Sequence, residues 1–133
     1  MADILKVDTE GLVKDFDKFL NNLRPRIRRK NVHFAALLTT RVKVKASGRP
    51  GPNAPTGDYR SKIDAAMINT ADSLGFAVGT DDIRGRRLEM GFDGVDSLGR
   101  RYKQPPYPHF GPAVDEIADK YVQAVADALD DAS

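Results

Sequence analysis

The residues with the greatest potential for chemistry are two histidines, His33 and His109, and three pairs of adjacent carboxylates. A histidine works as a catalytic base only with an acid or a nucleophile within reach, and none lies near His33 in sequence. His109 stands among prolines, where it could cap a helix or pack in the core. Neighbouring carboxylates on a helix or strand point apart, so they do not form a catalytic pair. These pairs are Asp81–Asp82, Asp115–Glu116 and Asp130–Asp131.

The sequence contains no cysteine, which excludes a disulfide framework, a cysteine nucleophile and any thiolate metal site. Two histidines are too few for a multi-histidine zinc site. The sequence also lacks a nucleophile elbow, a P-loop and the glycine pattern that binds dinucleotides. It therefore predicts a protein that is not an enzyme and that carries no cofactor and no metal.

The chain of 133 residues is long enough for one domain with its own core. Apolar residues make up 41% and charged residues 30%, as in a globular protein. The longest strictly apolar run, Phe34–Leu38, is far shorter than a membrane span, and the N-terminus lacks the pattern of a signal peptide. We therefore expect no membrane partner and synthesis in the cytosol.

The formal net charge of +2 hides two oppositely charged segments. Residues 19–57 hold nine bases and no acid, whereas residues 110–133 hold six acids and one base. Such segments could form a basic surface for DNA or for an acidic partner, together with an acidic surface elsewhere. They could also be solvated helix faces, or neutralise one another within or between subunits. The basic cluster has no interleaved aromatic residue, so nothing supports base stacking.

Apolar spacing of three and four residues predicts a helix over Asp8–Leu23, with Asp8 or Thr9 as its N-cap. Pro25 predicts a break or a kink, and Ile27–Val42 predicts a second helix whose polar face carries the basic cluster. Arg41–Lys45 alternates like a strand, but it continues a helical pattern and is assigned to the helix. Proline and glycine then make Ser47–Asp58 a long loop.

Three short segments after this loop predict strands: Tyr59–Asn69, Gly75–Thr80 and Arg87–Asp93. Their short connections favour one antiparallel sheet. Gly94–Pro112 predicts an irregular stretch, and Pro112 opens an amphipathic C-terminal helix. The expected fold is a single α+β domain over residues 1–133. It has two N-terminal helices, a long mobile Pro/Gly loop at residues 47–58, a small antiparallel β-sheet, and a C-terminal helix packed on the sheet.

Two segments resemble a known protein family. APTGDYRSKI (Ala54–Ile63) resembles a Pro-x-x-Thr-Gly-x-Leu-x-x-Ser signature, with Tyr59 in place of the leucine. Met90–Glu116 resembles the second half of that family: a strand ending in Gly-Phe, an Asp-x-x-Gly-Arg-x-Tyr turn, and a proline-rich approach to the last helix. There, Tyr107–Phe110 replaces the usual Pro-Phe core. The family is the neck or tail-completion proteins (head–tail joining, minor tail) of long-tailed phages and prophages.

This resemblance implies a structural virion protein that joins capsid and tail as a ring of identical subunits around the DNA channel. The expected partners are copies of the chain, neighbouring connector and tail proteins, and the genomic DNA in the channel. The protein would be made in the cytoplasm of the host bacterium and end in the neck or tail of the virion. The alternative from the charge pattern is a small basic module that binds nucleic acid.

Three sets of residues are candidates for these interactions. The basic surface facing another subunit or DNA comprises Arg24, Arg26, Arg28, Arg29 and Lys30. The assembly loop is expected to order on assembly, and its candidates are Arg49, Pro50, Pro52, Pro55, Thr56 and Gly57. The turn of the family motif and the approach to the last helix comprise Asp96, Gly99, Arg100, Tyr102, Pro106, Pro108, Phe110 and Pro112.

Overall fold

A computed structural model describes residues 9–133. One long helix begins the described chain, a second long helix ends it, and short elements lie between them. In chain order the elements are α1 (Thr9–Lys45), α2 (Asp58–Ser61), β1 (Ile63–Asn69), β2 (Leu74–Thr80), α3 (Arg84–Met90), β3 (Phe92–Val95), β4 (Arg101–Gln104) and α4 (Phe110–Ala132). The predicted α+β class is therefore confirmed.

Helix α1 is the support on which the domain is built. The β1–β2 hairpin and helix α4 both pack against it. Helix α4 runs antiparallel to α1, since its Glu116 meets Arg41 and its Tyr121 meets Phe34. Tyr121 also packs edge-on against Phe76 of β2, with 5.4 Å between ring centroids. The C-terminal helix thus touches the sheet, as predicted.

The predicted break at Pro25 is wrong, because α1 continues through this residue as a single helix. An interior proline removes one backbone hydrogen bond and costs about 3 kcal/mol. Pro25 is exposed, so its ring faces solvent. Leu23 and Ile27, on either side of it, continue one apolar face against the β1–β2 turn. The tertiary contacts of that face hold the helix in register despite the lost hydrogen bond. Asp8, one of the two candidate N-caps, lies outside the described residues.

The hydrophobic core lies where α1, α4 and β1 meet. Its most buried side chains include Val42 of α1, Ile63 of β1 and Ala113 of α4, which are at most 1% exposed. Asn31 is also fully buried, and its Oδ1 accepts a 2.6 Å hydrogen bond from the Tyr121 hydroxyl. The assignment of Arg41–Lys45 to the helix is confirmed, because these residues form the end of α1 and Val42 packs in the core from there.

The predicted single sheet is in fact two separate antiparallel hairpins. In the first, β1 pairs with β2 with Ile63 opposite Thr80 and Asn69 opposite Leu74. In the second, β3 pairs with β4 across a short turn. Strand β4 lies within Gly94–Pro112, which was expected to be irregular throughout.

The prediction of a strand over Arg87–Asp93 is wrong for most of its length, because helix α3 occupies Arg84–Met90. The alternation of Leu88, Met90 and Phe92 indicated a strand, but the segment RGRRLEM is rich in good helix formers. An Asp82 carboxylate oxygen accepts a hydrogen bond from the backbone N–H of Arg84 and starts the helix. Gly91, with φ +80°, ends it, and only then does β3 begin.

Two further boundaries differ from expectation. Tyr59 belongs to the short helix α2 and not to the first strand, which begins at Ile63. Helix α4 begins at Phe110, two residues before Pro112. Proline is compatible with the first turn of a helix, where its missing N–H would have no helical partner. Pro112 therefore lies inside the first turn without interrupting it.

The proline–glycine loop is packed at its base and exposed at its tip. Gly51 and Pro52 are buried, and Gly48 N–H donates to the Pro52 carbonyl at 3.0 Å. The Arg49 guanidinium lies 3.7 Å from the centre of the Tyr107 ring. Asn53, Pro55 and Thr56 are exposed. The mobility of this loop stays a prediction.

The continuity of α1 can be tested by replacing Pro25 with alanine. If the helix is unbroken, Pro25→Ala restores a hydrogen bond and should raise the free energy of unfolding by about 1–3 kcal/mol. Urea denaturation followed by circular dichroism measures the change. Pro55→Ala, in the exposed loop tip, is the control and should leave stability unchanged or lower it slightly. Equal or lower stability for Pro25→Ala would show that the helix is interrupted there.

Candidate functional site

The five bases of the predicted basic surface do not share one face of α1. The Arg24 side chain turns toward the β1–β2 turn, where its Nη2 donates to the Ala71 carbonyl at 2.6 Å. Arg26, Arg29 and Lys30 line a cleft between α1 and the C-terminal part of α4, with a volume of about 510 Å³. Arg28 is exposed to solvent. The five bases lie within about two turns of helix, and their spacing points their side chains in different directions around the axis of α1.

The charge of this basic cluster is not neutralised within the described chain. Among residues 9–133, no carboxylate lies within 4 Å of a nitrogen of Arg26, Arg28, Arg29 or Lys30. Asp131 of α4 borders the cleft without forming an ion pair there. His33 is also in the cleft, with its ring edge-on to Phe34. The cleft is therefore a place where an external anionic group could be bound.

The basic and acidic segments meet within the subunit at Glu116. Its carboxylate accepts from Arg41 Nε at 2.8 Å and from Lys45 Nζ at 2.6 Å. The hydrogen bonds from Arg41 and Lys45 lower the pKa of Glu116 to about 2. The other acids at the start and end of α4, Asp115, Asp119 and Asp130, are exposed and form no ion pair within residues 9–133. Intramolecular neutralisation therefore covers a small part of the two charged segments.

A buried polar network joins α2, α3 and the start of α4. The Tyr59 hydroxyl and Nε2 of His109 lie 2.6 Å apart, and His109 is fully buried. His109 Nδ1 lies 3.0 Å from the Tyr107 carbonyl, which can only accept. Nδ1 therefore carries the proton, and Nε2 accepts the hydrogen bond from Tyr59. Burial first, then the charges of Asp82 and Glu89, raise the pKa of Tyr59 to about 12.

Glu89 closes this network by capping α4 from another element. Its Oε2 accepts from the backbone N–H of His109 at 2.7 Å, and its Oε1 accepts from those of Phe110 and Gly111 at 2.8 and 2.9 Å. The carboxylate thus satisfies free donors at a helix N-terminus, where the helix dipole also favours negative charge. No short-range signal links Glu89 to a helix that begins 21 residues later, so sequence reasoning missed it.

A surface ion-pair cluster lies beside Tyr59 and was also not predicted. Arg84 donates to both oxygens of Asp82 and, at 2.8 Å, to Asp58. The side-chain and then the backbone hydrogen bonds from Arg84 hold the pKa of Asp82 well below its usual range. Lys62 lies 3.6 Å from both carboxylates. The cluster connects α2 to the chain after β2, and its charges balance locally.

Asp96 organises the turn of the family motif, at the tip of the β3–β4 hairpin. Its Oδ1 accepts from the N–H groups of Leu98 and Arg100, and its Oδ2 from Arg100 Nε at 2.7 Å. Burial alone would raise the pKa of Asp96, but the hydrogen bonds from Arg100 and Leu98 outweigh it and lower the pKa. Gly99 has φ +79°, which glycine adopts without strain. The Arg100 guanidinium lies 5.9 Å from the centre of the Tyr102 ring.

The remaining motif residues connect this hairpin to α4. Pro106 and Pro108 are exposed in the connecting segment, and Phe110 packs on the core. Tyr107, between the two prolines, donates its N–H to the Leu88 carbonyl at 2.6 Å. The segment is thus held to α3 on one side and, through Arg49, to the loop on the other. The motif residues position the start of α4.

The predicted assembly loop contacts this connecting segment. Arg49 both stacks on Tyr107 and donates from Nη1 to the Gly51 carbonyl at 3.0 Å. Pro52 is buried, Pro50 and Pro55 are exposed, and the Thr56 hydroxyl accepts from Asp58 N–H at 3.3 Å. Gly57, with φ +74°, is the N-cap of α2. The exposed loop residues that a partner can reach include Pro50 and, at the tip, Pro55 and Thr56.

The two histidines lie in different places and do not combine into one site. His109 is closed to solvent, while His33 is exposed in the α1–α4 cleft. Within residues 9–133, no group of three or more histidine, cysteine, aspartate or glutamate side chains is arranged to hold a metal ion. Within residues 9–133, exposed charged and apolar side chains of α1 and α4 face solvent.

The hydrogen bond between Tyr59 and His109 can be tested by removing the tyrosine hydroxyl. Tyr59→Phe leaves Nε2 of His109 buried without a donor, which should lower the free energy of unfolding by about 1–3 kcal/mol. Tyr107→Phe is the matched control, because the Tyr107 hydroxyl makes no hydrogen bond within residues 9–133. Similar losses for the two variants in urea denaturation would contradict the network.

The contact of Glu116 with Arg41 and Lys45 predicts a pH dependence of stability. The pKa of Glu116 is lowered in the folded protein to about 2 from an ordinary value of 4.5. Its contribution is therefore present above pH 4.5 and disappears as the pH falls through 2. Denaturation at a series of pH values should show wild type more stable than Glu116→Gln near neutrality, with the difference closing in acid. A difference that does not depend on pH would contradict this origin.

Comparison of the chain with protein-family models, curated proteins and solved structures finds no match. In the part of the chain that the structure describes, no helix combines the length and apolar character needed to cross a membrane.

Proposed function

We propose that this chain is a structural subunit of the head–tail connector of a long-tailed phage, a neck or tail-completion protein. In this role it assembles with copies of itself into a ring around the DNA channel, between the capsid and the tail. Its partners are further copies of the chain and neighbouring connector and tail proteins, and its place is the virion. Its work is mechanical and requires neither catalysis nor a cofactor.

The observation that carries this proposal is the uncompensated charge at two distinct places on one subunit. Arg26, Arg28 and Arg29 have no carboxylate partner within residues 9–133, and neither Asp115 nor Asp119, nearer the start of α4, has a cation there. A ring requires that one face of a subunit fits a different face of the next. Opposite charges on two faces provide that fit and disfavour contact between like faces.

The two segments of family resemblance lie together in the fold. Tyr59, from the first segment, meets His109, from the second, at 2.6 Å.

Unpaired bases also favour a second candidate function, a module that binds nucleic acid. Arg26, Arg29 and Lys30 line one cleft and could contact phosphate oxygens. A free subunit of this kind should bind duplex DNA tightly, with an affinity that falls steeply as salt rises. A connector subunit should bind DNA weakly as a monomer and respond to concentration instead.

Mass photometry and negative-stain images at increasing protein concentration distinguish the two functions. The connector proposal predicts rings of a single size, with at most weak binding of a labelled DNA duplex by the monomer. Tight binding that drops roughly a hundredfold between about 50 and 200 mM salt, with no assembly at any concentration, would contradict the connector and favour the alternative.

Charge reversal tests whether the basic cluster contributes to assembly. Arg29→Glu places an acid in the α1–α4 cleft and should raise the concentration needed for assembly. Arg86→Glu is the matched control, because Arg86 is an exposed arginine of α3 with no ion pair among residues 9–133. Equal effects of both reversals would mean that net charge, and not this surface, controls association.

A further inference from the structure

The cleft between α1 and the C-terminal part of α4 brings several bases of α1 together in one concave place. Arg26, Arg29 and Lys30 line it, and His33 lines it one helical turn beyond Arg29. Steps of three and four residues place these four side chains on one side of the helix. In residues 9–133, no carboxylate lies within 4 Å of a nitrogen of the three bases. The cleft therefore concentrates positive charge.

Two of these bases are partly withdrawn from water. Arg26 and Lys30 are half-buried, whereas Arg29 and His33 are exposed. A partly buried cation loses hydration, and no carboxylate of the described chain compensates for that loss here. An anion bound between Arg26 and Lys30 would compensate for it, because opposite charges attract more strongly in a partly buried place than in bulk water.

The dimensions of the cleft limit the kind of anion that fits. Its volume of about 510 Å³ lies within the range of small-molecule sites, about 300–1,000 Å³. Arg26 and Lys30 stand about 6 Å apart along the helix axis, so they suit two phosphates of one chain better than a single phosphate. Packed helices lie about 8–10 Å apart, and a DNA duplex, whose major groove alone is about 12 Å wide, is too broad to enter between them. The best fit is a short, flexible chain of phosphates.

The side of the cleft opposite the bases offers shape but little chemical recognition. Phe34, Ala124 and Ala128 form its apolar part, and their side chains have no hydrogen-bond donor or acceptor. A group attached to the phosphates therefore finds no polar partner on these three side chains. Asp131 also lines the cleft and weakens its attraction for an anion. Within residues 9–133, this one carboxylate of the lining stands against three bases, so a net attraction remains.

We infer that the α1–α4 cleft binds a linear polyphosphate, free or as part of a nucleotide, through Arg26, Arg29 and Lys30. The two guanidinium groups each donate paired hydrogen bonds to phosphate oxygens, Lys30 adds a compact positive charge, and His33 donates a ring N–H. Since the phosphates are the recognised part, inorganic tripolyphosphate and a nucleoside triphosphate should bind with similar affinity. This site goes beyond the connector function, which requires no small ligand.

Calorimetric titration of the protein with tripolyphosphate at low salt tests the site. Arg26→Gln and Lys30→Gln each remove a charge-assisted contact and should weaken binding at least about tenfold. Arg28→Gln is the matched control, because Arg28 is an exposed base of the same part of α1 that does not line the cleft. It removes the same charge from the protein and should change the affinity by less than about twofold.

Asp131→Asn provides a change in the opposite direction. It removes a negative charge from the lining of the cleft and should tighten binding of tripolyphosphate by about twofold or more. A variant that fails to fold cannot bind more tightly, so this result does not depend on the stability of the variants.

Three results would overturn the inference. They are no binding of tripolyphosphate at millimolar concentrations, equal losses for Arg26→Gln and Arg28→Gln, and binding of a DNA duplex through the same bases in place of tripolyphosphate. The third result would favour the nucleic-acid module. Assembly of wild type without ligand decides the connector proposal separately. Rings that bind no tripolyphosphate would overturn only this inference, and a protein that binds it but stays monomeric would overturn only the connector.

Discussion

The apolar face that runs without interruption along α1 is the constraint on which the rest of the structure depends. From Leu23 to Val42 it receives the β1–β2 turn, the sheet and helix α4 in succession. It also keeps the helix continuous through Pro25, because contacts on both sides of the proline outweigh the loss of one hydrogen bond. The same face continues toward Thr9, where Leu12, Val13 and Phe16 are exposed and no other residue within 9–133 covers them. The apolar face of α1 thus explains both how the subunit folds and why part of its apolar surface stays exposed.

Polar contacts fix the start of α4 beside the apolar core. Glu89 caps α4 with three hydrogen bonds, and the buried Tyr59–His109 pair fixes the segment just before that helix. Such groups are costly to bury unless every donor and acceptor is satisfied, so they specify one geometry. The consequence is a defined start for α4, which in turn fixes where its exposed aspartates lie.

Elements with a strong local signal could be predicted from the sequence. The 3.6-residue periodicity predicted the helical character of α1, although divided in two at Pro25, and predicted the C-terminal helix α4. The strand-like segments Tyr59–Asn69 and Gly75–Thr80 overlap β1 and β2. Predictions failed where tertiary contacts override local preference. Pro25 is a helix breaker by propensity, yet packing on both sides of it keeps α1 continuous. At Leu88–Phe92 the alternation indicated a strand, although the helix propensity of Arg84–Met90 was the better guide. Contacts between distant residues leave no pattern that a single sequence reveals.

The same limit applies to the candidate surfaces. The composition of each segment was enough to find the opposite charges of α1 and α4. It could not show that Glu116 forms ion pairs with Arg41 and Lys45. Nor could it show that Arg26 and Arg29 stay unpaired in the α1–α4 cleft. The burial of individual side chains could not be predicted either. Buried Pro52 anchors the proline–glycine loop, although the composition of this loop suggests a mobile segment. The result is a polarised subunit in which α1 and α4 both carry exposed surface.

The most direct test of this account is a cryo-electron microscopy reconstruction of the protein after assembly at high concentration. We expect a closed ring in which the face of each subunit that carries the unpaired bases of α1 meets a different face of the next subunit. A reconstruction with equivalent faces in contact, or particles that stay monomeric at every concentration, would contradict it.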